Sequence, residues 1–468
     1  MIKLKILLIN ISLRAESPTL LPPLGLAYIA TAIYNAGYEL EILDIDAHRY
    51  SDDEVESMIR EKDYDVAAMG CIVTGYKQVK KLCSMIKKYK NVPIIVGNSV
   101  ASSVPELLLE KTEADIAVIG EGDITDIEVL KALETNEDLA KVKGIYYKKD
   151  GRIFKTPKRE AIRDVDSIPF INWDLFDIDL YIEKSKVYMN EPYPVPYEDL
   201  RSLPVNTARG CAFNCTFCYH VFKEDKYRVR SPKSVCDEMK LLKEKYGINY
   251  VNLFDELTFY SIKQCEEFVD TLLEYDLGIF WKACCRGNLF KEKDIGIARK
   301  LKEAGCVGLG YSLESANQEI LRAMNKKLKK DEFIEQTRVL RKAGLAVWTS
   351  LVIGYPQETE KTLQETFDCC YDADIYPSVG YLIPLPGTPV FEYARETNAI
   401  KDVEEYLLNS GDRQDFRINL TGMEQRTIED IVKINLKRIS NKLKLGLEDE
   451  KLIKTVHYKH NALKVAAK

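Results

Sequence analysis

Three cysteines crowd into one short stretch, Cys211-Ala212-Phe213-Asn214-Cys215-Thr216-Phe217-Cys218, with the spacing C-x3-C-x2-C. Three thiolates this close in sequence can converge on one face of a metal centre, and soft sulfur selects zinc, Cu(I) or iron–sulfur clusters. A structural zinc ion needs four ligands, and His220 is the candidate for the fourth. A cubane [4Fe–4S] cluster is ordinarily held by four cysteines, so three would leave one iron open to a substrate or cofactor. No second cysteine pair at zinc-finger spacing follows, which favours a cluster on Cys211, Cys215 and Cys218. Most of the other cysteines, among them Cys83, Cys265 and Cys306, sit singly in apolar segments and read as small buried hydrophobes.

The elements that must position this array belong to a chain of 468 residues, enough for about two to four domains. Its net charge is −6, and 46% of its residues are hydrophobic. That balance exerts no global pull on nucleic acid or an anionic membrane, and no nucleic-acid partner is expected. No apolar run approaches the ~18 residues of a membrane span, so no transmembrane segment is expected. The N-terminal run Met1–Ile9 is too short for a secretory core and lacks a cleavage site, which places the chain in the cytoplasm, where twelve cysteines stay reduced or bind metal.

Short apolar runs alternate with amphipathic stretches over residues 1–135. Leu4–Ile9, Glu39–Leu43, Val66–Met69, Pro93–Val96 and Ile116–Ile119 are strand candidates, each followed by a helical pattern. This is the grammar of a doubly wound parallel sheet, whose ligands sit beyond the carboxyl ends of the strands. Residues 136–200 read as a connector, with a hairpin turn at Lys149-Asp150-Gly151 between Tyr146-Tyr147 and Ile153-Phe154. From 201 to 395 six further strands are expected: Val205–Thr207, Tyr250–Phe254, Ile279–Ala283, Val307–Tyr311, Val347–Ile353 and Val379–Leu385. They are separated by helical patterns such as Ser234–Tyr246, Ile262–Tyr275 and Asp331–Ala343, which makes a partial barrel with its site at the strand ends. Residues 396–468 read as a helical C-terminal region whose basic stretch from Lys437 onward is a solvated face.

At the cysteine array the chain resembles the radical S-adenosylmethionine (SAM) enzymes, whose C-x3-C-x-Φ-C motif is matched with Phe217 as the aromatic Φ. Other segments follow in the family's order. Leu253-Phe254-Asp255-Glu256 stands where the family often carries acidic residues for the SAM ammonium group. Trp281-Lys282-Ala283-Cys284-Cys285-Arg286 is similar to the strand whose arginine approaches the SAM carboxylate. Gly308-Leu309-Gly310-Tyr311-Ser312-Leu313-Glu314-Ser315 is similar to G-x-x-x-G-x-E-S, and Gly354-Tyr355-Pro356-Gln357-Glu358-Thr359 to G-x-P-x-E-T. The resemblance thus implies SAM contacts at Phe217, Asp255, Glu256, Arg286, Ser312, Glu314, Gly354 and Pro356.

The N-terminal sheet resembles that of the cobalamin-binding subclass. Pro22-Pro23-Leu24-Gly25-Leu26-Ala27-Tyr28-Ile29-Ala30 matches its entry helix, and Gly120-Glu121-Gly122-Asp123 its G-E-G-[ED] turn. Cobalamin contacts are implied at Leu24, Gly25, Thr74, Gly97, Asn98, Ser99, Gly120, Glu121 and Gly122. The subclass commonly has Gly-Gly-x-His-Ala after its fourth strand, whereas this chain has Gly97-Asn98-Ser99-Val100-Ala101, whose Asn98 side chain can hydrogen-bond a corrin amide or crowd it. Asp46-Ala47-His48-Arg49-Tyr50-Ser51 comes close to the D-x-H-x-x-G of other corrinoid carriers but follows the wrong strand, so His48 reads as a loop residue. The fold implied is α/β, a cobalamin-binding parallel sheet followed by a (β/α)6 radical SAM barrel. The activity implied is methyl transfer to an unactivated carbon, with a cyclisation or rearrangement as the alternative and a non-catalytic electron-transfer module as the rival class. A small-molecule, lipid or peptide substrate and a reducing partner such as flavodoxin or ferredoxin complete the expectation.

Overall fold

The computed structural model describes residues 3–14, 20–189 and 192–453. Seven strands form the N-terminal sheet: β1 (Lys5–Asn10), β2 (Glu39–Asp44), β3 (Val66–Gly70), β4 (Ile94–Gly97), β5 (Ile116–Val118), β6 (Ile145–Lys149) and β7 (Arg152–Lys155), in spatial order β2-β1-β3-β4-β5-β6-β7. The first five pair in parallel. Their near-continuous apolar sequences follow from burial on both faces. Ile6 and Leu8 pack with Ala27, Ala30 and Ile33 of the helix Leu24–Asn35, while Leu7 and Ile9 face the opposite layer with Val55, Ile59, Val79 and Leu82.

The expected hairpin is present, and it joins the sheet: β6 runs antiparallel to β5 and to β7. Asp150 (φ 52°) and Gly151 (φ 71°) both lie in the left-handed region, the requirement of the two-residue turn that a twisted hairpin favours.

The second unit is built from β8 (Ser202–Val205), β9 (Ala208–Arg209), β10 (Arg228–Val229), β11 (Tyr250–Leu253), β12 (Phe280–Cys284), β13 (Cys306–Gly310), β14 (Ala346–Trp348), β15 (Ser350–Ile353) and β16 (Ser378–Tyr381). A parallel sheet runs β14-β13-β12-β11-β8, and β15 pairs with β16. The expected strand Val347–Ile353 breaks at buried Thr349 because that residue serves two neighbours. Its Oγ1 accepts from the Leu313 N–H (3.1 Å), and its carbonyl accepts from the Ser378 N–H (2.9 Å). Helices Pro232–Tyr246, Ile262–Tyr275, Ile295–Glu303, Lys330–Lys342 and Glu360–Asp372 cover the outside.

The C-terminal region ties both units together. Helix Val403–Leu408 buries Leu407 in the outer layer of the N-terminal sheet, where Glu404 accepts from Lys80 Nζ (2.5 Å) and Tyr76 Oη (3.1 Å). Helix Gln425–Lys442 lays Ile428, Val432, Leu436 and Ile439 on the helix Glu360–Asp372, a spacing of four, four and three residues that puts the apolar set on one face. Of the basic stretch, Lys437 and Lys442 form ion pairs with Asp449 and Asp374, and residues 454–468 lie outside the described residues. Among the described residues no helix is long and apolar enough to cross a membrane.

Candidate functional site

The carboxyl ends of the two sheets face one cleft of about 520 Å³. Leu24, Gly25, Gly70, Gly97, Asn98, Ser99, Gly120 and Gly122 line it from the first unit, and Asn206, Arg209, His220, Phe222, Phe254 and Glu256 from the second. A second cleft of about 430 Å³ lies on the barrel flank near Arg230, Ser231, Tyr260 and Lys263 and is lined by none of the expected site residues.

The cysteine array begins two residues after β9 and is held from several sides. Arg286, buried at the end of β12, stacks on the Phe213 ring (4.0 Å to its centre) and brings Nη1 to 3.9 Å from Cys215 Sγ. The Thr216 N–H donates to the Met324 carbonyl (3.0 Å), and Thr216 Oγ1 meets Tyr355 Oη at 2.5 Å. Phe217 packs against the apolar group of Tyr355, Leu382 and Val390. Although Cys218 is exposed, the protein atoms packed around its thiol raise it by desolvation, with Cys215, Glu314 and Cys211 adding to it, and desolvation raises the half-buried Cys211 as well. Ligation would therefore have to displace bound protons. All twelve cysteines are free thiols. Among the described residues no three His, Cys, Asp or Glu side chains, the three cysteines of the array included, gather closely enough to hold a single metal ion.

Around this loop, buried polar atoms stand ready for a polar group. Arg286 Nε, Glu358 Oε1 and His220 Nδ1 have no hydrogen-bond partner among the described residues. Glu358 closes the Gly354–Thr359 turn: its Oε2 accepts from the Gly354 N–H (2.6 Å), Gly354 sits at φ 100°, and burial lifts the carboxyl to about 8. Pro356 lies in that turn. Glu314, with φ 62°, is buried against Lys326 Nζ (2.8 Å), and Ser312 Oγ accepts from Ser350 Oγ (2.7 Å).

Several expected contacts have other work. Asp255 accepts from the Thr207 N–H (2.7 Å), the Ala208 N–H (3.1 Å), Thr207 Oγ1 (2.8 Å) and Thr258 Oγ1 (2.9 Å). Both its oxygens brace the turn after β8, and Asp255 and Glu256 both line the cleft. Desolvation raises Glu256 to about 7, with Asp255 adding to it against the backbone N–H of Gly210. Glu121 also lines the cleft and is engaged in ion pairs. It accepts from Arg209 Nη1 (2.7 Å), Arg228 Nη1 (2.9 Å) and the Ile162 N–H (2.7 Å), while Asp123 takes a bidentate pair from Arg209 at 2.8 Å each. This ion group bolts the first unit to the strand that leads into the cysteines. Thr74 lies in the short turn Val73–Gly75 and does not line the cleft, whereas its neighbour Val73 donates its N–H to Ser99 Oγ (2.8 Å).

Asn98 stands at φ 66°, in the left-handed region where asparagine is tolerated, so the backbone keeps the shape that a glycine would give. His48 is exposed at the end of the short helix Ile45–His48, stacked on Tyr50 (5.2 Å between centres), and does not line the cleft. Arg209, Arg228 and Lys326 were not singled out in the sequence, and Asp123 only as the last residue of the G-E-G-[ED] turn. Each is an ordinary charge until a partner far along the chain is known.

Asp126 also lines the cleft, where desolvation and then Asp123 raise its carboxyl to about 7. Its folded value lies above the ordinary carboxylate value, so the folded chain binds this proton more tightly than the unfolded one. The group then favours folding at low pH and loses that contribution as pH rises from the ordinary carboxylate range through about 7. Asp126→Asn is expected to raise the unfolding midpoint of the ligand-free chain at pH 8 and to change it little at pH 4, measured by circular dichroism.

Comparison with known proteins agrees with this layout. Residues 12–130 match the B12 binding domain and residues 205–370 the radical SAM superfamily. An uncharacterized methyltransferase of Pyrococcus horikoshii is 29% identical, the match covering 81% of this chain and 80% of the relative. The anaerobic magnesium-protoporphyrin IX monomethyl ester cyclase of Cereibacter sphaeroides is also 29% identical, over 82% of this chain and 62% of that protein. The solved structure of the radical SAM methyltransferase TsrM from Kitasatospora setae, with cobalamin and a [4Fe–4S] cluster bound, superposes with a TM-score of 0.63 at 20% identity, over 85% of this chain and 76% of that one. At that identity the likeness shows the shared fold. With a B12 binding domain and a radical SAM domain opening on one cleft, the chain belongs to the cobalamin-binding radical SAM enzymes.

Proposed function

We propose that the chain is a cobalamin-dependent radical SAM methyltransferase acting on an unactivated carbon of a small-molecule substrate. The single observation that carries this reading is the shared cleft, which places loops of both units against one volume. Cys211, Cys215 and Cys218 would hold the [4Fe–4S] cluster. Phe217, Glu256, Arg286, Ser312, Glu314, Gly354 and Pro356 would form the SAM side. Leu24, Gly25, Gly97, Asn98, Ser99, Gly120 and Gly122 would receive the corrinoid. When bound, these groups supply a carbon-centred radical from SAM and a methyl group from cobalamin.

The protein's own contribution is positional. Arg286 places a cation beside the cysteines, Glu256 offers a carboxylate to an ammonium group, and Asp255 keeps the loop between them rigid. The apolar walls of Leu8, Leu24, Ala68 and Ile95 exclude water from the reacting volume. Free thiols throughout the chain support a reducing cytoplasmic setting. A lipid or peptide remains within the range of substrates, and a flavodoxin or ferredoxin would supply the electron.

A ring-forming reaction is the second reading, favoured by the cyclase relatives. The two are separated by products. Reduced holoenzyme given SAM and a small-molecule extract from cells lacking the protein should form 5′-deoxyadenosine and S-adenosylhomocysteine together under methyl transfer. Cyclisation would give the first without the second.

A further inference from the structure

The turn that follows helix Gln318–Ala323 lies against the cysteine loop, and no motif in the sequence assigns it a task. Asn325 closes the helix in the left-handed conformation (φ 51°), with the Lys326 N–H returning to the Leu321 carbonyl at 2.9 Å. Lys327 is left-handed too (φ 49°), and neither residue is glycine. Such positions persist where the surroundings over-determine them.

Those surroundings are the cysteine loop. The Ala323 carbonyl accepts from Thr216 Oγ1 (3.0 Å), and the Met324 carbonyl from the Thr216 N–H (3.0 Å). Asn325 Nδ2 donates to the Asn214 carbonyl (2.8 Å). The Lys327 carbonyl accepts from Arg286 Nη2 (3.4 Å), the guanidinium whose other arm reaches Cys215. In the middle of this strap Lys326 turns inward. Its side chain is 9% exposed, and its Nζ donates to Glu314 Oε1, a carboxylate 7% exposed. Burying such a pair gains little stability, because desolvation offsets the attraction.

We propose that Lys326 is a positioning residue for the cysteine loop: anchored on Glu314, it locks the strap Ala323–Lys327, and the strap holds Asn214, Cys215 and Thr216 in the arrangement that retains the cluster. The proposal rests on the assignment of the cluster to Cys211, Cys215 and Cys218. Lys326 acts through the strap and touches no iron.

The test uses the full chain, reconstituted anaerobically with iron and sulfide, and follows iron release to a chelator together with the electron paramagnetic resonance (EPR) spectrum of the reduced cluster. Lys326→Met is expected to weaken iron retention about 10–100-fold, the range by which metal affinity falls when the hydrogen-bonding partners of metal ligands are removed, and to broaden the spectrum. Lys326→Arg, which keeps the charge and the donor, restores most of the retention and the parental line shape. Asn325→Gly removes the bond to Asn214 while relieving the left-handed backbone, so it folds even if Lys326→Met does not, and it too releases iron faster. Parental retention and an unchanged spectrum in Lys326→Met, or parental retention in Asn325→Gly, would overturn the strap. A parent chain that takes up no iron would overturn the cluster assignment and the strap with it.

Discussion

Anaerobic reconstitution is expected to load about four irons and four sulfides on each chain and, after reduction, to give cleavage of SAM to 5′-deoxyadenosine. Replacing Cys211, Cys215 and Cys218 together with alanine removes both, down to the background of reagents without protein. The three are the only thiols on this loop, and the guanidinium of Arg286 beside Cys215 is placed to compensate the negative charge that three thiolates bring. Cys83→Ala serves as the control. That thiol is fully buried in the outer layer of the N-terminal sheet, and its loss should leave iron content and SAM cleavage as they were. A triple-alanine chain that still cleaves SAM would end the radical assignment.

The second large effect is expected from Arg209→Met. Arg209 is the cation that Asp123 and Glu121 share, with side chains 12, 13 and 5% exposed. Arg228 still reaches Glu121 after the substitution, but Asp123 loses both its bonds to Arg209. A buried carboxylate stripped of its partner costs about 3–5 kcal/mol. The cost falls on the joint between the units, so hydrogen exchange should open first along β9, β10 and the Gly120–Asp123 turn. Arg209→Lys, which keeps the charge but not the planar fork, should recover part of the protection. Exchange at the far edge of the sheet, in β2, should not change. If Arg209→Met leaves exchange at the joint unaltered, the ion group is not the bolt described above.

Much of this architecture was legible in the sequence because burial on both faces of a parallel sheet leaves a simple record. Leu7 and Ile9 alternate with Ile6 and Leu8, all are apolar, and the helices between strands carry their own period. The cysteine spacing was equally plain, since all three residues lie within one loop. Legibility failed where a residue's task depends on a partner distant in sequence. Asp255 looked like a ligand-binding carboxylate, and only the fold shows that residues 207, 208 and 258 consume its oxygens. Glu121 looked like part of a corrin-binding turn, yet its partners are Arg209 and Arg228. Thr349 interrupts a strand for the same reason: two neighbours compete for one residue, and no local pattern announces them. The hairpin at Asp150-Gly151 was visible as a turn, but its attachment to β5 was not, because pairing across strands leaves no mark in a single sequence.

The central claim is that both cofactors work in one cleft, and EPR of the doubly loaded chain tests it most directly. The full chain would be reconstituted with iron, sulfide and hydroxocobalamin, then reduced until both the cluster and the cobalt are paramagnetic. The cleft of about 520 Å³ is lined by Tyr219, His220, Val221 and Phe222, which directly follow the cysteine array, so a cobalt in the cleft and a cluster on that array should interact, and the cobalt signal should be broadened or split relative to the same corrinoid bound to the triple-alanine chain, which lacks the cluster. A spectrum that is the plain sum of the two separate signals, with the corrinoid demonstrably bound, would contradict a shared cleft.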